Sequence, residues 1–149
     1  MRVTFFAVTC LGLTACGDRA LIPEKAIVAD SIPVPLAALP GDAGNGLQVF
    51  TERTGGHCVL CHQVSGLDTP FQGNLGPDLS FVGDRLQPGQ LRLRIVDYQR
   101  IKPGAVMPSY YRVEGLYQVE ETYRGTPILT AQEVEDLVSY LTTLGETDA

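Results

Sequence analysis

Cys58-Val59-Leu60-Cys61-His62 is the stretch that decides how this 149-residue chain folds. Two thiols separated by two residues, with an imidazole directly after them, form the C-x-x-C-H pattern of covalent haem attachment. The spacing has a chemical reason. Each thiol adds to one vinyl group of the same porphyrin, and the adjacent histidine is then held beneath the iron as its proximal ligand. A C-x-x-C pair also occurs in zinc half-sites and in redox dithiols. Zinc needs a second pair of ligands. Of the four cysteines, Cys10 and Cys16 lie in a leader-like N-terminus, and the only histidines are His57 and His62, so no second pair exists. A thioredoxin-like dithiol belongs to an alternating αβ pattern, which does not follow Cys61, and it leaves His62 without a role.

A sixth iron ligand should be a soft or imidazole donor. Met1 falls in the leader, which leaves Met107 as the one methionine. His57 adjoins Cys58 and does not easily reach the opposite face of a haem. Met107 is far enough from His62 to wrap round, and Pro108 biases it to extended backbone. Lys102 is the rival donor, and a buried core Met107 with an open iron is the plainer alternative. The proximal His62 needs its other ring nitrogen bonded to fix the ring. Gly76-Pro77-Asp78-Leu79 offers a rigid turn for this, and the Pro77 carbonyl is the expected partner.

Composition narrows the rest. At about 150 residues per domain the chain makes one domain. Apolar residues are 44% and charged ones 19%, enough for a globular core. Trp is absent and aromatics are only 7%, so the core is aliphatic or is filled by something other than protein. The net charge of −6 argues against nucleic-acid binding, which needs a Lys/Arg excess. No apolar run reaches the roughly 18 residues of a spanning helix. The charge is unevenly placed: Arg85, Arg92, Arg94, Arg100 and Lys102 cluster, whereas from Glu133 onward every charge is acidic. A solvated face is the default reading of that cluster, and a docking face or a propionate-binding arginine is the sharper one.

Residues 1–15 read as an export signal, with Arg2 ahead of a short apolar stretch. Leu13-Thr14-Ala15-Cys16 resembles a bacterial lipobox, which would make Cys16 a lipidated N-terminus and the periplasmic protein membrane-anchored. An ordinary signal peptide cut nearby is the alternative. Residues 16–41 carry Pro23, Pro33, Pro35 and Pro40, which favour extended chain. This segment is a tether, or an arm for a partner. Its apolar side chains, from Leu21 to Leu39, also allow it to pack on its own domain.

The folded domain is expected over residues 42–146. A first helix follows the cap candidates Asp42 and Asn45 and stops at Gly55-Gly56. Gly46 and Phe50 share one face, and a glycine there suggests a close backbone neighbour. A second helix starts at Pro88, although Leu91, Leu93 and Ile95 also alternate like a strand. The last helix opens with the capping box Thr130-Ala131-Gln132-Glu133. It carries the stripe Val134, Leu137, Val138, Leu141 and Leu144, and it closes at Gly145.

These helices, with C-x-x-C-H and Met107-Pro108, resemble the class I single-haem cytochrome c family over the whole folded domain. The resemblance implies a mainly α fold wrapped around one covalent haem. Its first and last helices would cross at Gly46 and Phe50 against Leu137, Tyr140 and Leu141. A narrower wording lies in Phe71-Gln72-Gly73-Asn74-Leu75-Gly76-Pro77, Gly83-Asp84-Arg85, Met107-Pro108-Ser109-Tyr110, Tyr123-Arg124-Gly125-Thr126-Pro127-Ile128-Leu129-Thr130 and Gln132-Glu133-Val134-Glu135-Asp136. It is similar to the SoxX family, small monohaem cytochromes of the bacterial sulfur-oxidation complex.

That resemblance implies a SoxA-like cytochrome as heterodimer partner and a SoxYZ-like carrier whose cysteine is joined to thiosulfate. It also implies a downstream electron-acceptor cytochrome. The complex would be an L-cysteine S-thiosulfotransferase in which this chain transfers electrons. It carries Cys58, Cys61, His62 and Met107 over as haem attachments and ligands. The lipobox departs from the soluble periplasmic members. Two other functions remain: a stand-alone or membrane-anchored carrier to a terminal oxidase, and a haem sensor with a labile Met107 bond. Tyr110, Tyr111, Tyr117 and Tyr123, like the proline-rich arm, are candidates for a partner surface.

Overall fold

A computed structural model describes residues 20–145. The expected signal peptide and Cys16 lie outside the described residues. The described part is helical with long loops: α1 (Ala43–Thr51), α2 (Val82–Arg85), α3 (Pro88–Asp97) and α4 (Ala131–Thr142). Short 3-10 turns form at Glu24–Ala26, Cys58–Leu60, Tyr98–Arg100 and Glu121–Tyr123.

α1 begins where Asp42 accepts a hydrogen bond from the Asn45 N–H at 2.8 Å. It ends at Thr51, short of the glycine pair, because Glu52 turns extended. The Gly56 N–H then folds back onto the Val49 carbonyl at 2.9 Å. α1 crosses α4 closely. A Cβ on Gly46 would collide with the Asp136 carbonyl oxygen. One turn further on, the Phe50 and Tyr140 rings meet with centroids 5.4 Å apart at 60°. The Asp136 carboxylate reaches across to accept the Asp42 N–H at 2.9 Å, which fixes the start of α1 against α4.

α4 has the expected capping box: Glu133 N–H donates to the Thr130 hydroxyl at 3.2 Å and the Thr130 N–H to the Glu133 carboxylate at 2.7 Å. It stops at Thr142, three residues before Gly145. The helix tightens there, with the Thr143 and Leu144 N–H groups donating three residues back to Tyr140 and Leu141 at 2.9 and 3.2 Å, and the Leu144 carbonyl accepts the Gly83 N–H of α2 at 2.7 Å. α3 is a helix and not a strand. Gln87 and Gln90 cap it reciprocally and Pro88 fills its first turn. Leu91, Leu93, Ile95 and Val96 are all buried, so the alternation that suggested a strand reflects burial on nearly every side.

Residues 20–41 supply that extra burial. They lie along α3 and α4 through Ile32 and Leu36, the packing on their own domain that their apolar side chains allowed, while Val34 and Leu39 stay exposed. Ile32 is 1% exposed. Its N–H donates to the Gly89 carbonyl at 2.9 Å and its carbonyl accepts from Arg92 at 2.6 Å. Arg92 also makes two 2.7 Å bonds to the Glu135 carboxylate, and Glu135 in turn accepts the Leu36 N–H at 2.8 Å. One buried ion pair therefore ties α3, α4 and the N-terminal segment together. The core is aliphatic apart from Phe50 and Tyr140.

Candidate functional site

The C-x-x-C-H motif coils into a single tight turn. His57 enters it in the left-handed region at φ 46°. The Cys58 carbonyl then accepts both the Cys61 N–H at 3.0 Å and the His62 N–H at 2.9 Å. Val59 is buried and roots the turn in the core, while Leu60 faces out. Behind it, Gly73 N–H donates to the Val59 carbonyl at 2.8 Å and Gly76 N–H to the Cys61 carbonyl at 2.7 Å. The motif is thus backed by the Gly73–Gly76 loop.

His62 is oriented by two contacts. Its Nδ1 lies 2.8 Å from the Pro77 carbonyl oxygen. With the proton on Nδ1, the Nε2 lone pair is left for a metal. Gly76 lies directly against the ring, and a Cβ there would be 2.6 Å from Nδ1 and 2.9 Å from Nε2. Any larger residue would push the imidazole away. The turn that carries Pro77 is itself held. Leu79 N–H donates to the Gln63 carbonyl at 2.9 Å, and Ser80 bonds Asp78 through both its N–H and its hydroxyl. Those Ser80 bonds keep the Asp78 carboxyl below its ordinary pKa.

Cys58 and Cys61 are not joined in a disulfide. Burial pushes the Cys58 thiol up to about 12, with a further push from Cys61. A thiol-exchange centre needs the opposite, a thiolate stabilised near neutral pH. Among the described residues no group of three His, Cys, Asp or Glu is placed to hold a metal ion. The donor set, two unpaired thiols and one imidazole with Nδ1 already engaged, fits a covalently attached haem.

Met107 is half-buried on the loop that follows the Tyr98–Arg100 turn. The same loop is tied to the motif by Tyr110, whose hydroxyl donates to the Gly56 carbonyl at 3.0 Å. Burial raises the phenol's pKa, so this donor keeps its proton. Apolar side chains beside Gly76 and Met107 face outward, Leu75 at 69% and Val106 at 77% exposed. Lys102 is exposed in the turn before the loop.

Two expectations change. Tyr110 and Tyr111 pack against the core and are not a free partner surface. The arginine cluster is not one continuous face: Arg92, Arg94 and Arg100 are drawn into ion pairs, whereas Arg85 and Lys102 stay exposed. Arg92 pairs with Glu135, Arg94 with Asp30, and Arg100 with Glu24 and Asp97. Arg85 donates to the carbonyls of Phe81 and Asp78, both at 3.1 Å. Nothing in the spacing of Tyr110 pointed to Gly56, because the contact is made between distant loops.

The cytochrome c family model matches residues 43–145. The chain is also similar to a solved structure described as the crystal structure of SoxXA from P. pantotrophus. The identity is 34%, the match covers 80% of this chain and 93% of that one, and the TM-score is 0.75. No curated protein matches it significantly in sequence. A covalently bound haem c comes with the family. With the C-x-x-C-H turn backed by its glycine loop, and α1 crossing α4 at Gly46, the chain belongs to the cytochrome c family as a SoxX-type member.

Proposed function

We propose that this chain is the electron-transfer haem c subunit of a periplasmic thiosulfate-oxidising complex, in which a SoxA-like cytochrome carries the sulfur chemistry. The observation that carries the reading is the 34% identity to a SoxXA chain, sustained over 80% of this one. Haem, when bound, supplies a one-electron ferric–ferrous couple. The chain's own residues do the rest. Cys58 and Cys61 would tether the porphyrin, and His62, its ring fixed by the Pro77 carbonyl and Gly76, would hold the iron. Met107 would be the second protein donor to the iron, and a thioether donor would raise the potential and leave no open position for substrate. The described part holds no further thiol to act on sulfur. Joining thiosulfate to the cysteine of a SoxYZ-like carrier releases a proton and two electrons, which this chain would relay singly to a downstream acceptor cytochrome. The same proposal places the mature chain on a membrane through Cys16.

The test is to purify the chain from cells grown on thiosulfate. It should come away with a second, larger c-type cytochrome and become reduced by thiosulfate only when that partner and the carrier are both present. A monomeric chain, reduced equally well by general donors without the partner, would mark a stand-alone carrier to a terminal oxidase.

A further inference from the structure

The loop that presents Met107 is fastened on both sides to one short segment, the junction where α3 gives way to the Tyr98–Arg100 turn. Gln99 holds the near side. Its side-chain amide donates to the Ala105 carbonyl at 2.6 Å, and its side-chain oxygen accepts the Gly104 N–H at 2.9 Å. Asp97 holds the far side, accepting from the Ser109 hydroxyl at 2.6 Å and from Arg112 at 2.9 Å. Met107 stands midway between Ala105 and Ser109. The backbone repeats the pattern, with the Tyr110 and Tyr111 N–H groups donating to the Ile95 and Val96 carbonyls, both at 3.2 Å.

These ties are not incidental surface bonds. Asp97 is 3% exposed and Ser109 is buried with it. A carboxylate in such a place is costly unless it is paired. Arg112 supplies one cation, and Arg100, 3.4 Å away, supplies a second. Arg100 also pairs with Glu24, and Glu114 lines the same small cavity as Asp97, Arg100 and Arg112. The innermost ties, at Ala105 and Ser109, bracket the one candidate thioether two residues on either side.

We propose that Asp97 and Gln99 are positioning residues for Met107, which hold its backbone so that the thioether is offered to the iron at a fixed reach. The inference rests on Met107 being the distal ligand. Methionine has three rotatable bonds and a weak, neutral donor. It competes against imidazole, amine or water only if the loop is already in place, because the entropy of ordering it is then spent before the bond forms. Neither Asp97 nor Gln99 touches the iron. Asp97→Asn keeps an oxygen for Ser109 but removes the charge that answers Arg112. Gln99→Ala releases the near side alone, and Ser109→Ala releases a single hydrogen bond on the far side.

The test uses the haem-loaded full chain in the ferric state and follows the thioether-to-iron charge-transfer absorption as imidazole is added. Asp97→Asn should lose that absorption at about tenfold less imidazole than the unmutated protein, the scale of one charged hydrogen bond, and Gln99→Ala at roughly tenfold less through its two neutral bonds. Each should also show a lower reduction potential, and the two changes together should go further than either. If Asp97→Asn does not fold, Gln99→Ala and Ser109→Ala decide the matter in the same way. Variants that unfold more easily but keep the unmutated imidazole midpoint and potential would overturn the proposal and leave a purely structural network. Absence of the absorption from the unmutated protein would overturn the Met107 assignment first, and this inference with it.

Discussion

Residues 20–41 are anchored to α3 and α4 at Asp30, Ile32, Leu36 and Pro40, whereas residues 117–128 turn most of their side chains to solvent. Both stretches carry aromatic or aliphatic residues in excess of what a connection needs. In the first, Ile22, Ile27, Ile32 and Leu36 go inward, and the backbone at Ile32 and Leu36 is bonded to α3 and α4. In the second, Tyr117 is 93% exposed, and Tyr123 and Ile128 are also exposed. The difference lies in charge placed for pairing. The N-terminal segment meets Arg92, Arg94 and Arg100, which bond its carbonyls and carboxylates. Apolar content alone does not tell a segment that completes its own core from one that waits for a partner.

The largest effect should come from breaking the pair that anchors the first region. Arg92 and Glu135 have side chains only 4% and 6% exposed. Arg92→Ala leaves a buried carboxylate without its cation and frees the Ile32 carbonyl, which should cost about 3–5 kcal/mol. Urea unfolding of the haem-loaded protein measures it. A loss below about 1 kcal/mol would mean that the segment is only resting on the helices.

Just before the second region, Tyr110 is still bonded to the domain. Tyr110→Phe removes the bond to the Gly56 carbonyl and should cost about 1 kcal/mol, the value of one neutral hydrogen bond. Tyr111 shows no such bond, so Tyr111→Phe should be smaller by the same measurement. Equal losses would contradict the assignment of Gly56 as the partner.

A smaller effect tests the rim of the first region by pH. Gln90 and then Arg94 hold the Asp30 carboxyl below its ordinary value of 3.8. A depressed carboxylate pKa contributes stability above the unfolded value, and this is lost as pH falls through the folded one. Asp30→Asn should therefore be slightly less stable than the unmutated protein at neutral pH. The gap should close below 3.8 and shrink with added salt, since the group is exposed. A gap that persists unchanged into acid would show that Asp30 acts without its charge.

How much of this was legible beforehand follows from the range of each interaction. The capping box of α4, the cap of α1 and the C-x-x-C-H turn depend on neighbours in sequence, and the residues named them. Gly46 was legible too, because a glycine on a packed helical face implies a close backbone, and the Asp136 carbonyl is that backbone. Pro77 could be nominated because a proximal histidine needs a bonded Nδ1 and a rigid turn stood nearby. The arginine cluster was not legible. Its partners Asp30, Glu24 and Glu135 are remote in sequence, and one-dimensional charge counting cannot distinguish an unpaired face from a set of ties. The same distance hid Tyr110 and its carbonyl on Gly56. α4 was read too long because its stripe continues to Leu144, although the last turn tightens to i−3 bonds from Thr143 onward.

The last and smallest expected effect on folding sharpens the comparison most. Tyr117 and Tyr123 contribute little to the domain's own packing, so changing both to Ser should leave unfolding free energy within about 0.5 kcal/mol of the unmutated value. If the outward loop is where a SoxA-like cytochrome docks, the same double change should weaken that association by about 1–2 kcal/mol or more. Aromatic side chains with a polar tip are enriched among the residues that dominate interfaces. The pairing of readouts matters. A loss of binding with stability and haem spectrum unchanged separates a contact surface from a damaged fold, and Tyr110→Phe supplies the opposite pattern in the same loop. Titration of the partner against haem-loaded protein, followed by calorimetry, gives the affinity directly. Unchanged binding would move the docking face elsewhere, first to the exposed Val34 and Leu39 of the N-terminal segment, which the domain does not bury either.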